Sequence, residues 1–493
     1  MPDLGDLMQR AIVAGSRAAR HLPGGVGGMG VYFWSQHLIA EDPLTAPWRE
    51  GVDVLLDRAD AALRRGRVDA ALRWFDKALR LSYHGSLHQA GTSPLAADPD
   101  QFLRAVRRSA IGGVMLPEEP PALPEPARPA PRERGEGPVR LLVIAQENWT
   151  FIRPVLDALT ARGVEVRTVD VDELAAPGFA DRDRILRARH DALRGGELLP
   201  TPPELVDGYE WADVVLVEWA HHVLTWVTLL DRAPRHLAVR LHRFEAFTPF
   251  PLLTDTSRID GLLYVSPPVR TMLCRIVPSY LQVPSQQVGN LLTRGLGPEP
   301  SGQRDAHLLV QVGWLREIKD VLFSLDVLER LREHDERYRL RLIGPALPAA
   351  PSTDTPYQRR VRARLAAVAP EAVEILGRRE DVPALLAEAG VILSSSRHEG
   401  THESIMEGMA AGCAAVVRDW PETAAYGGAA TVYDARWVVA DRDAAVDRIL
   451  ELADPAALRE ASRAARAFAV EQRDPERVLA GYAQGLELGG TRR

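Results

Sequence analysis

From residue 139 onward the chain alternates short, uninterrupted apolar runs with longer helical patterns, and no other feature constrains its fold as strongly. The runs read VRLLVIA, ADVVLVEW, RHLAVRLH and GLLYVS. After a Gly- and Pro-containing stretch at Gly295–Gly302 they continue as HLLVQVGW, YRLRLIG, VEILG, GVILSSS and CAAVVRD. A strand that is apolar on both faces must be covered on both faces, as in parallel sheets whose crossovers are helices. The pattern runs for about twice the length of one doubly wound unit, which predicts two such α/β domains facing across a cleft.

The region before it reads differently. Leu4, Leu7, Met8, Ile12 and Leu22 recur at near-helical spacing, which predicts an amphipathic helix docked on the rest of the protein. Membrane contact is the weaker alternative, because the other face mixes charges. A Gly-rich break is expected from Gly24 to Gly30. Val52–Leu81 reads as two helices joined at Gly66, and Gly66, Val68, Ala71, Phe75 and Ala78 resemble the second half of a tetratricopeptide repeat. One such unit cannot close a solenoid, so a hairpin lying against another domain is expected, with a partner-binding array as the alternative. Asp98–Val114 adds a helix, and Pro117–Pro138 cannot pack a core and is expected to run extended. The divisions are a helical extension over residues 1–116 with its hairpin at about 52–82, a Pro-rich linker over 117–138, a first sheet domain over 139–295 and a second over 296–493. The last helix of the second is a candidate to cross back. The linker predicts that the sheet domains fold without the extension.

Composition narrows function more than fold. A net charge of −7 argues against a generic polyanion binder, so nucleic acid is not an expected partner. Cys274 and Cys413 fall in apolar stretches, which predicts two core thiols and no disulfide framework. Arg10, Arg17 and Arg20 interrupt the first apolar run, so no secretory signal is read. No stretch reaches the roughly 18 apolar residues of a spanning helix. A cytoplasmic protein is expected, with peripheral membrane association as the alternative. Lys77 and Lys319 are the only lysines against a large excess of arginine. A lysine kept under that bias points to a need for a compact ammonium that a planar guanidinium cannot meet.

The chemistry concentrates in GVILSSSRHEGTHESIMEGMAAGCAAVVRDWPE, Gly390–Glu422. A buried strand ends at Ser394–Ser396, a polar loop follows, and a helix is predicted from Thr401–Glu403 to Ala411 with Gly412 closing it. Its N-terminal amides face the crevice at the strand ends, a place that favours phosphate. Glu399 precedes the helix and Glu407 lies inside it, about a turn and a half deeper. A carboxylate can accept two hydroxyl hydrogen bonds, which suits sugar and ribose, provided that cations and amides hold the phosphates elsewhere.

These residues are similar to the Glu-x7-Glu motif of the retaining glycosyltransferases of family four, the group 1 type with the GT-B fold. The small-residue tail GMAAG and the run AAVV extend the match. VGWLREIKD, Val312–Asp320, resembles that family's VGRLxxxKG, and weaker matches are AVRLHRFEAF around His242, VGN ending at Asn290, and Ile375–Ser396. The resemblance spans residues 139–486 and implies a GT-B fold of two facing Rossmann-like domains with an interdomain cleft, preceded by a small α-helical region. It implies Lys319 and Gly313 at the donor diphosphate, Glu407 at the ribose, and Glu399 at the donor sugar hydroxyls, with Gly400 and Thr401 in the same donor loop. His242 would come from the facing domain, near the reacting carbon, so the catalytic set is Glu399, His242 and Lys319. Trp314 stands where the family has an arginine, and Arg316 or Arg397 is expected to supply that cation. AQENWTF replaces the family's Gly-Gly turn after the first strand, which makes Asn148 and Trp149 candidates for the acceptor side.

The activity so implied is retaining transfer of a sugar from a nucleoside diphosphate donor to an unidentified hydroxyl on a glycan, a lipid-linked acceptor or a small molecule. The leaving phosphate acts as base, and no metal or other cofactor is required. The alternatives are another GT-B enzyme, such as a phosphorylase or a nucleotide-sugar epimerase, and a scaffold whose N-terminal helices recruit a protein partner while the sheet domains hold nucleotide or polymer.

Overall fold

Two six-stranded parallel sheets take up the two series of apolar runs. The computed structural model describes residues 25–44, 46–89, 93–131, 137–175, 178–292 and 304–488. The amphipathic pattern at Leu4–Leu22 and the stretch Gly295–Gly302 lie outside them. The first sheet comprises β1 (Arg140–Ala145), β2 (Glu165–Asp170), β3 (Val214–Glu218), β4 (Leu237–Leu241), β5 (Gly261–Tyr264) and β6 (Ser285–Gln287), in the order β2-β1-β3-β4-β5-β6. The second comprises β7 (Asp305–Val312), β8 (Arg339–Ile343), β9 (Val373–Gly377), β10 (Ala389–Ser394), β11 (Ala414–Arg418) and β12 (Val438–Val439), in the order β12-β11-β10-β7-β8-β9. β3, β4 and β10 are buried along their whole length, as apolar strands between two helical layers must be. In each sheet the strand order reverses beside the first strand, between β1 and β3 and between β7 and β10. Such reversals open a crevice at the carboxyl ends of the strands.

The N-terminal part is helical: α1 (Gly25–Glu41), α2 (Trp48–Arg64), α3 (Val68–Ser82) and α4 (Pro99–Arg108). The chain turns between α2 and α3 at Gly66, whose φ of 68° is left-handed. The break expected at Gly24–Gly30 is not there, because α1 runs through it from Gly25. Packing explains the difference: a Cβ on Gly28 would stand 2.6 Å from Arg58 and from the Trp74 ring. The glycine is what lets α1 approach the hairpin.

The hairpin lies against the first sheet domain, and the two share an apolar core. Leu55, Phe75, Leu79 and Phe102 share one core with Phe247, Phe250, Leu253, Met272 and Ile276 of the first sheet domain. Arg182 reaches Asp76 of α3 at 2.8 Å, and Arg275 pairs with Asp100 of α4. Residues 117–131 of the Pro-rich stretch carry no helix or strand yet are docked: the Ala127 amide donates to the Asp231 carbonyl at 2.8 Å, and the Ala233 amide donates to the Ala127 carbonyl at 3.0 Å.

Four further helices position the site: α5 (Pro267–Ile276), α6 (Glu403–Ala410), α7 (Pro455–Gln472) and α8 (Pro475–Gly485). The last crosses back. Val478, Leu479, Tyr482 and Leu486 complete the core beneath Leu141, Val143, Leu216 and Leu263 of the first sheet. Cys274 and Cys413 are buried free thiols. Among the described residues no helix is long and apolar enough to cross a membrane.

Candidate active site

Three successive serines pin the loop that follows β10. Ser394 Oγ lies 2.8 Å from His402 Nδ1, Ser395 Oγ donates to the Lys319 carbonyl at 2.6 Å, and Ser396 Oγ donates to Glu399 Oε1 at 2.7 Å. His402 takes a left-handed φ of 48°, which turns the chain into α6, and the Tyr433 hydroxyl donates to the Thr401 carbonyl at 2.6 Å. Opposite, the turn after β7 delivers Lys319. Gly313 opens that turn at φ 74°, and the Lys319 Cε lies 3.8 Å from where its Cβ would be. Lys319 Nζ donates to Glu399 Oε1 at 2.7 Å. Burial pushes the Glu399 carboxyl up, but the Lys319 ammonium, with His402 and Arg243 behind it, outweighs burial and holds the carboxyl well below the usual range. Burial, and then Lys319, pushes His402 down to about 3, so its imidazole is neutral at physiological pH. Glu407 is half-buried within α6.

The facing wall belongs to the first sheet domain. At the ends of β3 and β4 the fully buried Glu218 and Arg240 pair: Arg240 Nε donates to Glu218 Oε1 at 3.1 Å, and Arg240 NH2 reaches the same oxygen. His242 Nε2 stands 2.9 Å from that oxygen, and Arg240 NH1 donates to the Tyr482 hydroxyl of α8. Burial acts to raise the Glu218 carboxyl, and Arg240 and His242 overcome it and hold it below its ordinary value. The His242 ring stacks on Trp219 with centroids 3.8 Å apart. The Glu245 carboxylate accepts the amides of Ala220, His242 and Arg243 at 3.3, 2.9 and 2.9 Å, fixing the turn that presents His242. The two walls touch at Gly400. A Cβ there would lie 3.3 Å from Val265 Cγ2 and 3.7 Å from Arg243 Cβ, so the missing side chain permits the close approach.

Glu399, Lys319, Gly313, Gly400 and Thr401 come together on one side of this cleft and His242 faces them, with Glu407 deeper in α6. The remaining expected residues fare differently. Trp314 is 1% exposed and belongs to the core of the second sheet domain. Arg397 turns to Asp320 at 3.6 Å, an acid that Arg418 already holds at 2.7 Å. Arg316 is exposed, on the side of Arg243. Trp149 donates through Nε1 to Asp170 Oδ2 at 2.7 Å, and the Asn148 carbonyl accepts the Trp219 indole N–H at 3.0 Å. That turn therefore supports the ring on which His242 stacks. Glu218, Arg240, Arg243 and Tyr482 were not legible as site residues. The available signal was a charge inside each of the otherwise apolar strands VVLVE and LAVRL.

Residues 306–454 match the family described as glycosyl transferases group 1. Among solved structures, Anabaena HepE in complex with UDP and glucose aligns over 71% of this chain and 99% of its own, at 13% identity and a TM-score of 0.51. Sucrose-phosphate synthase from Thermosynechococcus elongatus aligns over 70% and 98%, at 14% identity and a TM-score of 0.51. The fold is GT-B. TarM aligns over 56% of this chain and 55% of its own at 13% identity and a TM-score of 0.45, so the overlap spans little more than half of TarM's length. No curated protein matches the chain. Within the GT-B frame, Lys319 and Glu399 stand on the second sheet domain and His242 on the first, across the interdomain cleft.

Proposed function

We propose that this protein is a retaining glycosyltransferase that moves a sugar from a nucleoside diphosphate donor, bound on the second sheet domain, to a hydroxyl acceptor held on the first. The observation that carries the reading is the Lys319–Glu399 pair, buried where the two domains meet. Here each group satisfies the other. A donor offers each a better partner, phosphate oxygens for the ammonium and sugar hydroxyls for the carboxylate. The N-cap residue His402 makes no side-chain cap on α6, which leaves the first helical amides for the diphosphate. Glu407 takes the ribose, and Arg316 supplies the cation that the buried Trp314 cannot.

The acceptor hydroxyl attacks the face that the diphosphate leaves. The bond from the anomeric carbon to the phosphate oxygen breaks, its electron pair stays on that oxygen, and the acceptor proton moves to the phosphate. Lys319 and the amides of α6 stabilise the growing charge, and domain closure excludes water. This route needs no metal or other cofactor. HepE holds UDP and glucose, which makes UDP-sugars the first donors to screen. Thermal shift with a panel of nucleotide sugars, followed by mass analysis of products with mixed acceptors, tests the reading. Nucleoside diphosphate released only when an acceptor is present supports transfer. Donor epimerised without acceptor, or donor bound and never consumed, refutes it.

A further inference from the structure

His398, the residue before Glu399, is buried, and three parts of the chain close on its ring. From the first sheet domain, Arg243 NH1 lies across the ring, 2.7 Å from Nδ1 and 3.3 Å from Nε2, and the Phe247 ring is 4.7 Å away. From the helical extension, the His88 carbonyl stands 3.2 Å from Nε2. From the second sheet domain, Glu422 Oε2 stands 3.3 Å from the same nitrogen. A carbonyl can only accept, so the hydrogen bond to His88 places the proton on Nε2 and leaves the lone pair on Nδ1. Burial, with Arg243 beside it, lowers the His398 pKa well below its ordinary value, in keeping with a neutral ring.

The extension's side of this contact is rigid. His88 is itself buried, with Nδ1 2.7 Å from Ser93 Oγ, Nε2 3.2 Å from the Ser82 carbonyl, and its ring 5.7 Å from both Phe102 and Phe247. A second tie runs beside it, where the Tyr426 hydroxyl donates to the Ala96 carbonyl at 2.8 Å. The extension therefore grips the second sheet domain at the residue adjoining its site carboxylate, and not at some remote face.

We propose that His398 is a positioning residue through which the N-terminal helices clamp the Glu399 loop against the first sheet domain, making the extension a working part of the transfer site. The proposal rests on Glu399 being the donor-sugar carboxylate. A loop displacement of about 1 Å can cost on the order of a hundredfold in rate, so a clamp on this loop acts on turnover.

The test uses three full-length variants. His398→Ala removes both hydrogen bonds. His398→Gln restores them in kind, with an amide oxygen to accept from Arg243 and an amide N–H for the His88 carbonyl. Ser93→Ala loosens His88 from within the extension. We expect His398→Ala to lower kcat by about 10- to 100-fold with the donor KM changed by less than about threefold. His398→Gln is expected to recover most of the loss, and Ser93→Ala to show a smaller fall in the same direction. Amide hydrogen exchange in His398→Ala is expected to rise together in residues 398–402 and 85–89. Unchanged kcat in His398→Ala, a glutamine variant as slow as the alanine one, or faster exchange confined to the donor loop would each overturn the clamp. If the wild-type protein transfers no sugar from any nucleotide donor, the functional reading falls, and the joint rise in exchange, which needs no turnover, alone upholds or overturns the clamp.

Discussion

Lys319→Ala removes the ammonium that touches the Glu399 carboxylate at 2.7 Å. Glu399 is 9% exposed, and Ser396 Oγ at 2.7 Å is the neutral donor left in contact. Losing one charge-assisted hydrogen bond costs about 1.5–3 kcal/mol. That corresponds to roughly one to two pKa units, so the carboxyl climbs from well below its ordinary range back toward it. A depressed folded pKa contributes stability that is present above the unfolded value and lost as pH falls through the folded one. The variant is thus less stable than wild type at neutral pH, and the gap narrows in acid as both carboxyls protonate. Function is hit harder. The α6 amides amount to only about half a charge against roughly two on a bound diphosphate, so transfer should fall by at least about a hundredfold. Arg316→Ala should cost about tenfold in the same assay, and Arg397→Ala little, because its guanidinium is turned to Asp320. Steady-state kinetics with a donor from the screen, and urea unfolding at neutral and acid pH, read both effects. A Lys319→Ala protein with wild-type kcat/KM and an unaltered acid dependence would refute the donor-site assignment.

Glu407→Ala is expected to weaken donor binding by roughly 10- to 100-fold, and Glu399→Ala to lower kcat more than affinity; wild-type kinetics in both would mean that the donor lies elsewhere. Glu218→Ala leaves the fully buried Arg240 without its carboxylate and should cost about 3–5 kcal/mol in chemical denaturation, whereas a negligible change would deny the pair its structural role. Burial raises the Glu422 carboxyl to about 7; because the folded value lies above the unfolded one, the associated stability is present in acid and is lost as pH rises through about 7. Unfolding free energy should drop by roughly 2–3 kcal/mol across that window, and Glu422→Gln should abolish the drop. Deleting residues 1–130 exposes Phe247, Phe250, Met272 and Ile276 and should yield aggregated protein; a soluble, monodisperse fragment would contradict the shared core.

All nine apolar runs became strands, most of them because a strand covered on both faces has little choice of residue, whereas β9 sits at a sheet edge and exposes Ile375. β2, β6 and β12 had no such run behind them. They sit at sheet edges, where EVRTVD and SQQ are half or fully exposed and carry too little hydrophobic signal to be read. The Gly-rich start of α1 misled for the opposite reason, since tertiary contact with Trp74 and Arg58 outweighs weak helix propensity. The proposed donor side could be read because Glu399, Gly400, Thr401 and Glu407 lie in one stretch of sequence with a recognisable spacing. The facing wall was not, because Glu218, Arg240 and Tyr482 are brought together by topology from strands and a helix far apart in the chain. His398 escaped notice likewise, as its partners Arg243, Glu422 and the His88 carbonyl come from three regions.

The crossing of α8 has a consequence for the order in which the chain becomes native. Its side chains fill a core whose first strand begins at Arg140, yet a ribosome adding roughly 5–20 residues per second delivers them only after the whole second sheet. The first sheet domain is therefore completed only after the second has been made. For tens of seconds of synthesis its apolar underside is open and Arg240 lacks the tyrosine it holds in the finished protein. A nascent chain in that state must be shielded from its neighbours, and a chain cut short before α8 compromises both sheet domains, not only the one that is truncated.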